Sequence, residues 1–366
     1  VPDYDAPMQL PGYSVETRVA SDEQIAQMAA MIRNAKKPVI YAGGGVINSG
    51  ASDALAELVE KTGIPVTMTL MGLGGFPGDD PLSLDMPGMH GSVYANLAVD
   101  ECDLLLALGV RFDDRVTGKV PEFAKYARIV HVEIDPSEIN KIKTADLAIC
   151  SDVREALVKL NKVAERPEKI DDWQKRVAEL KEADPFHFDT DSPSILPQQA
   201  IHELWKLTKE QDAIITVGVG QHQMWSAQYY KFRRPNRWAS SSGLGTMGFG
   251  LPAAVGAKAA HPDKLVVDID GDGSILMNIQ ELATCHCEKL PVKVLLLNNM
   301  HLGMVVQWED RFHAANRAHT YLGPIDHPEA IGLGNGITPE VRYPDFVAIA
   351  AGFKWPGRHV RERAEL

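Results

Sequence analysis

Short runs of aliphatic and β-branched residues alternate with helical segments along this 366-residue chain, and this alternation constrains its fold most strongly. The run Pro38–Ala42 follows an amphipathic helix predicted over Asp22–Asn34 and leads into three consecutive glycines. Similar strands are predicted over residues 65–70, 103–108, 128–134, 213–217, 237–241, 266–269 and 292–297, with helices over residues 51–61, 197–208, 249–260 and 274–285. Buried strands that alternate with helices are typical of parallel sheets. The predicted fold class is therefore α/β, with two doubly wound parallel-sheet domains.

Chain length and local composition predict how the chain is divided. A charged stretch over residues 164–195 contains Pro167, Pro185 and Pro193, and is interpreted as a connector with one helix. The first domain is predicted over residues 18–163 and the second over residues 196–366. Residues 1–17 are irregular and begin without methionine, so we interpret them as a linker that follows a further domain.

Composition excludes several classes of protein. The net charge of −12, from 37 basic and 49 acidic residues, argues against a nucleic-acid surface. No apolar run approaches the roughly 20 residues needed to cross a bilayer, and the first residues lack signal-peptide features. We therefore expect no nucleic-acid or membrane partner and no secretion.

Four scattered cysteines favour a reducing compartment. The Cys285-His286-Cys287 run is interpreted as structural, because this spacing turns the two thiols to different sides of a helix.

The most specific local signal is the pair of turns after the last two predicted strands. Gly271-Asp272-Gly273-Ser274 follows one strand, and Asn298-Asn299 follows the next. The carboxyl ends of parallel strands face one crevice, so both turns are expected to meet there. Carboxylate and amide oxygens suit Mg²⁺, and a helix N-terminus after Gly273 suits a diphosphate. Either turn alone is ordinary, but together they predict a thiamine diphosphate site with a divalent metal.

Longer segments carry a resemblance to the catalytic subunit of acetohydroxyacid synthase, also called acetolactate synthase. In the second half these are residues 220–225 (GQHQMW), 245–254 (GTMGFGLPAA) and 298–308 (NNMHLGMVVQW). In the first half they are residues 69–74 (TLMGLG), 88–91 (GMHG) and 109–115 (GVRFDDR). The resemblance is expected to run from about residue 1 to about residue 325.

The resemblance implies a transferase of the thiamine diphosphate enzyme superfamily. Such an enzyme decarboxylates pyruvate and joins the hydroxyethyl unit to a second 2-ketoacid, either pyruvate or 2-ketobutyrate. This is the first common step of valine, leucine and isoleucine biosynthesis. The implied cofactors are thiamine diphosphate, Mg²⁺ and a FAD that does no net redox chemistry.

The resemblance also assigns residues of the second domain. Asp272, Asn299 and the backbone carbonyl of His301 would hold Mg²⁺. Met247 would support the bent cofactor, while Met304 and Trp308 would form the pocket wall for the second ketoacid. Arg115 of the first domain would steer the ketoacid carboxylate. The positions implied to bind thiamine diphosphate are Gly220, Gln221, His222, Gly245, Met247, Gly271, Asp272, Gly273, Ser274, Asn299, His301, Gly303 and Met304.

In the first domain the resemblance implies a FAD site at glycine-rich strand ends, with Glu133 placed to accept hydrogen bonds from ribose or adenine. The implied positions are Gly44, Thr69, Leu70, Met71, Met89, His90, Gly109, Arg111, Asp114, Glu133, Ile134, Asp152 and Val153. Without the resemblance, the three glycines at 43–45 would be a weak signal.

Two parts of the family pattern are absent from this sequence. The first of the family's three domains, which supplies the glutamate that protonates the cofactor, has no counterpart, and the C-terminal arm is also missing. We therefore expect a fragment that is inactive by itself. The family further implies a homodimer or homotetramer with shared active sites, a possible small regulatory subunit, and a location in bacterial cytoplasm or in a plastid.

Three alternatives remain open. A pyruvate oxidase-like or glyoxylate carboligase-like enzyme would share the thiamine diphosphate motifs. A non-catalytic protein would keep the cofactor folds for assembly or regulation. A nicotinamide dehydrogenase is the weakest, because no Gly-x-Gly-x-x-Gly follows the first strand.

Overall fold

Two all-parallel sheets organise the computed structural model, which describes residues 18–323 and 344–366. The predicted linker over residues 1–17 lies outside the described residues. The first sheet has the order β2-β1-β3-β4-β5. Its strands are β1 (Pro38–Ala42), β2 (Val66–Met68), β3 (Leu104–Leu108), β4 (Arg128–Glu133) and β5 (Leu147–Cys150).

The second sheet has the order β7-β6-β8-β9. Its strands are β6 (Ile214–Val217), β7 (Trp238–Ser240), β8 (Val266–Gly271) and β9 (Lys293–Leu297). Every strand pair in both sheets is parallel, so the predicted α/β class with two parallel sheets is confirmed. All predicted strands are present. Among the strands of residues 18–323 and 344–366, the prediction missed only β5, whose four residues alternate between buried and half-buried.

Helices connect the strands and cover the sheets. In the first unit these are α1 (Asp22–Asn34), α2 (Gly44–Asn48), α3 (Ser52–Thr62), α4 (Val93–Glu101), α5 (Asp114–Thr117) and α6 (Val153–Leu160). They are followed by α7 (Ile170–Ala183), α8 (Pro197–Thr208), α9 (Gln221–Tyr229), α10 (Gly250–Ala260), α11 (Asp272–Ile275), α12 (Glu281–Cys287), α13 (Gly303–Phe312) and α14 (Phe346–Gly352). In the two described stretches, every helix is too short or too polar to cross a bilayer.

The helix predicted in the connector is α7, and it packs into the core of the first unit. Trp173 of α7 is almost fully buried, and its indole N–H donates to the carbonyl oxygen of Pro38 at 2.9 Å. Val177 and Leu180 lie on the same buried face. α7 thus packs on the first unit, whereas Phe186 and Phe188, which follow it in the connector, contact Tyr229 of the second.

The single helix predicted over residues 274–285 is wrong, because the chain forms α11 and α12 with a turn between them. Hydrogen bonds between residues three apart, such as Met277 N to Ser274 O, replace the α-helical pattern at this turn. The Asn278 amide donates to the carbonyl oxygen of Gly248 at 2.8 Å. The turn is therefore held by contacts with a distant loop, which helical periodicity does not report. Within α12, Cys285 is buried and Cys287 is exposed, as expected, and all four cysteines are free thiols.

Candidate functional site

In each sheet, the strand that comes first in sequence has the next two strands as its neighbours, one on each side. β1 lies between β2 and β3 in the first sheet, and β6 lies between β7 and β8 in the second. The loops that follow such a central pair separate and leave a crevice at the carboxyl ends of the strands, where ligands of open α/β sheets usually bind. We call these the first crevice, after β1 and β3, and the second crevice, after β6 and β8.

Glycines let two loops of the first crevice touch through their backbones. A Cβ atom on Gly43 would overlap the carbonyl oxygen of Gly109, and one on Gly45 would lie 2.6 Å from Gly109 Cα. Gly109 has a φ of +60°, a left-handed conformation that glycine adopts without strain. Glycine at positions 43 and 45 is therefore required by a close backbone approach at the switch point.

A cavity of about 1040 Å³ opens at the first crevice. This volume slightly exceeds the roughly 300–1,000 Å³ that small-molecule sites occupy, and is large enough for a dinucleotide. Predicted residues that line it are Gly44, Thr69, Leu70, Met71, Met89, His90, Gly109, Arg111, Glu133, Ile134, Asp152 and Val153. The predicted residue Asp114 instead lies exposed in α5, and its neighbour Asp113 lines the cavity.

Ionisable groups in this cavity are shaped by burial. Burial raises the pKa of Glu133, although backbone N–H groups of Asp135 and Ile134 partly offset the effect by donating to its carboxylate. Burial lowers the pKa of His90, which favours the neutral imidazole. The Asp152 carboxylate accepts from the backbone N–H of Arg154 at 2.8 Å and so caps α6. Glu133 and Asp152 thus offer hydrogen-bond acceptors at the carboxyl ends of β4 and β5.

The cavity extends from the first unit, where Arg115 lines it, to the second, where Gly245, Met304 and Trp308 line it. Sequence reasoning missed many other lining residues, among them Asp113, Gln223, Met224, Ser241, Ser242, Gly243 and Leu244. The small-residue run after β7 was the available signal for Ser241, Ser242 and Gly243. A hydrogen bond of 2.7 Å from the Gln228 amide to the carbonyl oxygen of His90 ties the two units together beside the cavity.

In the second crevice the ends of β6, β8 and β9 come together. The imidazole of His222 lies against Gly220 and Gly271, since a Cβ atom on Gly271 would be 2.7 Å from His222 Nδ1. Gly271 of β8 pairs in register with Leu297 of β9, so Asp272 and Asn299 follow neighbouring strand ends. The two predicted turns are therefore adjacent.

Ser274 links three loops of the second crevice. Its hydroxyl oxygen accepts from the backbone N–H groups of Gly248 at 3.0 Å and Val219 at 3.4 Å. Gly273 packs against Leu302 and Leu322, which a Cβ atom at that position would meet at 2.7 and 3.2 Å, and against the Cε of Met247 at 3.6 Å. Asp272 and Ser274 are both buried. The Gly-Asp-Gly-Ser turn is thus packed between the ends of β6 and β8 and the loop that carries Met247.

The turn after β9 is held by its own polar groups. The Asn299 side-chain oxygen accepts from the His301 backbone N–H at 3.0 Å, and His301 Nδ1 lies 2.8 Å from the Asn299 carbonyl oxygen. The His301 ring packs on Tyr321 with a centroid separation of 5.1 Å. Gly303 opens α13 and faces the Gln221 side chain, which a Cβ atom there would overlap. The predicted residues Gln221, Asn299 and Gly303 therefore lie together.

Two buried carboxylates of β8 were not predicted as part of the site. Burial raises the pKa of Asp268 well above its usual range, and the nearby Asp270 carboxylate adds to this effect. The Thr216 hydroxyl donates to Asp268 at 3.1 Å. Asp270 Oδ1 lies 3.2 Å from His222 Nε2, so the imidazole is placed between the strand end and the crevice. The alternation of aspartate with isoleucine in an otherwise apolar strand was the sequence signal.

Comparison with known proteins gives two family matches. The profile for "Thiamine pyrophosphate enzyme, central domain" matches residues 25–160, and that for "Thiamine pyrophosphate enzyme, C-terminal TPP binding domain" matches residues 218–366. The first match covers the whole first sheet, and the second covers β7, β8 and β9 with the turns that follow β6, β8 and β9.

Curated relatives share more than half of their aligned residues with this chain. "Acetolactate synthase 1, chloroplastic" of Zea mays is 54% identical over 100% of this chain and 56% of its own length. The protein of the same name from Nicotiana tabacum is 57% identical over 100% of this chain and 54% of its own length. "Acetolactate synthase, chloroplastic" of Arabidopsis thaliana is 53% identical over 100% of this chain and 53% of its own length. The match continues past residue 325, which corrects the expected limit, and the chain spans about half the length of these relatives.

Proposed function

Because this chain belongs to the thiamine pyrophosphate enzyme family and is homologous to acetolactate synthases, we propose that it forms the cofactor-binding part of an acetolactate synthase. The reaction is decarboxylation of pyruvate and transfer of the hydroxyethyl unit to a second 2-ketoacid, either pyruvate or 2-ketobutyrate. The unit over residues 18–163 would hold FAD, and the unit over residues 196–366 would hold thiamine diphosphate and Mg²⁺.

The observation that carries this proposal is the position of α13. The helix begins at Gly303 beside Gln221 and Asn299 in the second crevice. The next residue, Met304, and Trp308, more than one turn further on, line the cavity of the first crevice. α13 therefore connects the turn proposed to bind Mg²⁺ with the wall of a cavity that could hold a dinucleotide. A ketoacid bound at its first turns would contact both sites.

The residues of the second crevice fit thiamine diphosphate and Mg²⁺. Asp272, the Asn299 amide and the His301 carbonyl supply the hard oxygen donors that Mg²⁺ prefers. The His301 ring is engaged with Asn299 and Tyr321, which supports a backbone rather than side-chain role. When bound, thiamine diphosphate supplies the carbanion and electron-sink chemistry of decarboxylation.

Other residues of this crevice would orient the cofactor and the substrate. Gly220 and Gly271 lie against the His222 ring without side chains of their own, and Gln221 and Ser274 follow in the same two turns. Met247, over Gly273, would support the cofactor from one side. Trp308 and Met304 would wall the site of the second ketoacid, and Arg115 would attract its carboxylate through a full positive charge.

The first crevice fits FAD. Bare backbone at Gly43, Gly45 and Gly109 admits a close approach by a pyrophosphate, and Glu133 and Asp152 at the ends of β4 and β5 provide acceptors for ribose hydroxyls. In this proposal the flavin has a structural role, because the proposed ketoacid ligation involves no net oxidation.

The proposal extends to assembly and location. An acetolactate synthase would work as a homodimer or homotetramer with active sites shared between subunits, and a small regulatory subunit would be a further partner. The relatives' names place those proteins in chloroplasts, which supports a plastid rather than a bacterial cytoplasm.

A test is to express the protein as its gene encodes it and to measure acetolactate formation from pyruvate. Formation should require both thiamine diphosphate and Mg²⁺, and Asp272→Ala should abolish it while leaving FAD bound. Pyruvate-driven bleaching of the flavin with turnover would instead indicate an oxidase. Cofactor binding without any product from pyruvate would indicate a non-catalytic role and contradict the proposal.

A further inference from the structure

Glu309 is a buried carboxylate on α13 that the proposed reaction does not use. It follows Trp308 directly, and only 5% of its surface is exposed. A buried carboxylate is costly unless hydrogen bonds replace its water shell. Three donors do so, all from one later part of the chain that we call the return segment, residues 317–322.

The contacts are directed to both carboxylate oxygens. Oε1 accepts from the Ala318 backbone N–H at 2.8 Å, and Oε2 accepts from the Thr320 hydroxyl at 2.9 Å. Arg317 adds an ion pair at 3.5 Å. Thr320 is itself buried, with 1% exposure. One carboxylate thus fixes the return segment to α13 at successive points.

The return segment in turn pairs with the turn after β9. The Leu302 backbone N–H donates to Thr320 O, and the Leu322 N–H donates to Met300 O, each at 2.8 Å. His301 and Tyr321 form an antiparallel bridge between these two bonds. The return segment therefore fixes the backbone on both sides of His301, whose carbonyl oxygen is proposed to bind Mg²⁺.

This turn needs external support because of its backbone conformation. Met300 has a φ of +56°, which is uncommon for a residue with a side chain and persists only where the surroundings impose it. Its carbonyl oxygen accepts one of the two bonds from the return segment. Loosening the return segment would let residues 300–302 relax and move the His301 carbonyl.

We propose that Glu309 is a positioning residue for the Mg²⁺ site, acting through the return segment on the turn at residues 300–302. This inference rests on the proposed function, since it assumes that the turn binds the metal of thiamine diphosphate. Groups that orient metal ligands without touching the metal typically change metal affinity by about 10- to 100-fold when removed. Glu309→Ala is therefore expected to raise the Mg²⁺ concentration that half-saturates cofactor binding by about tenfold or more.

Conservative and matched variants separate positioning from general stability. Glu309→Gln keeps the size of the side chain and one carbonyl oxygen for Ala318, so it should recover most of the Mg²⁺ affinity. Asp310→Ala is the matched control, because Asp310 pairs with Arg317 at 2.7 Å from the exposed side of the same helix. It removes a carboxylate that contacts the return segment through Arg317 but leaves the bonds of Ala318 and Thr320 in place, and should leave the Mg²⁺ requirement unchanged.

In the experiment, calorimetry measures thiamine diphosphate binding to the protein, as its gene encodes it, at a series of Mg²⁺ concentrations. Circular dichroism reports whether each variant is folded. If Glu309→Ala does not fold, Thr320→Val replaces it, since it removes only the hydroxyl bond and should raise the half-saturating Mg²⁺ concentration severalfold. Wild-type Mg²⁺ dependence in folded Glu309→Ala or in Thr320→Val, or an equal loss in Asp310→Ala, would overturn the inference alone. Absence of Mg²⁺-dependent binding by the unmodified protein would overturn the proposed function and this inference with it.

Discussion

Lys231 and Asp85 form an ion pair that joins the two α/β units, with Lys231 Nζ 2.7 Å from Asp85 Oδ1. The Asp85 carboxylate also accepts from the Tyr94 hydroxyl, and its side chain is only 9% exposed. Asp85 has a φ of +59°, and its carbonyl oxygen accepts from the Met68 N–H at 2.9 Å. The loop that begins here continues to Met89 and His90 in the first crevice. The pair therefore fixes a wall of the cavity to the second unit.

Removing Lys231 should destabilise the protein because it leaves the Asp85 charge buried without its cation. Breaking a fully buried pair costs roughly 3–5 kcal/mol, and since Lys231 is 23% exposed we expect about 2–3 kcal/mol for Lys231→Met. Arg233→Met is the matched control, because Arg233 also bridges the units, to Asp79, but is 38% exposed. That exposed pair should contribute less than about 1 kcal/mol. Urea unfolding measures both, and equal losses would show that burial of the Asp85 pair is unimportant.

Gly218→Ala should disrupt the packing of the second crevice. A Cβ atom there would overlap Asp270 Oδ1 and the Ser274 hydroxyl, so the β6 and β8 ends would have to separate. Overpacking of this kind costs about 1–3 kcal/mol, and we expect loss of thiamine diphosphate binding as well. Thermal unfolding and calorimetry measure the two effects.

Gly256→Ala is the control for this substitution. Gly256 is exposed on α10, and a Cβ atom there would meet nothing within 4 Å. Helix propensity favours alanine there by up to about 1 kcal/mol, so this variant should be slightly stabilised and bind cofactor normally. Normal cofactor binding by Gly218→Ala would contradict the close packing of the crevice.

The strands were predictable from sequence because burial on both faces leaves continuous apolar runs, as in Leu104–Leu108. The short helices α2 and α5 were missed, since four or five residues carry no periodicity. The sequence analysis also did not predict the longer helices α4, α6, α9, α13 and α14. The break between α11 and α12 depends on Asn278 bonding to Gly248, a contact between residues 30 apart in sequence. The local pattern of apolar and polar residues does not indicate such a contact.

The two turns of the second crevice were predictable for a physical reason, because parallel strands direct their carboxyl ends to one edge. Asp272 and Asn299 follow paired positions of β8 and β9, as that rule requires. The loop at residues 241–244 was not predicted, because it reaches the first crevice only through the packing of one unit on the other. The assignment of roles to individual site residues came from the family resemblance and remains a prediction.

Two aspartates should give the stability of the protein opposite dependences on pH. Burial, with Asp270 nearby, raises the pKa of Asp268 above the ordinary value of 3.8, so the folded state holds its proton more tightly than the unfolded state. Stability from this group is then lost as pH rises above about 4. Arg237 and Lys264 lower the pKa of Asp212, so its contribution is present above the ordinary value and lost as pH falls below it.

Asp→Asn variants at both positions test these signs by urea unfolding between about pH 5 and pH 8. The free energy of unfolding of Asp268→Asn, relative to wild type, should rise steadily with pH. Asp212→Asn should be less stable than wild type by a constant amount across the same range, because its titration lies below it. A pH-independent difference for Asp268→Asn would show that Asp268 is ionised in the folded protein.

Trp308 should set the preference between the two ketoacids that compete for the second substrate position. Its indole borders the cavity beside Met304 and stacks on Phe312 at 5.1 Å, which holds it in place. One methylene of substrate in an apolar pocket is worth about 1–3 kcal/mol, so Trp308→Leu should lower the preference for 2-ketobutyrate over pyruvate by roughly tenfold or more. The measurement is the ratio of acetohydroxybutyrate to acetolactate formed from an equal mixture of both ketoacids. Val305→Ala is the control, because Val305 is 45% exposed on the same helix and does not line the cavity. An unchanged product ratio in an active Trp308→Leu enzyme, or the same shift in Val305→Ala, would place the selectivity elsewhere.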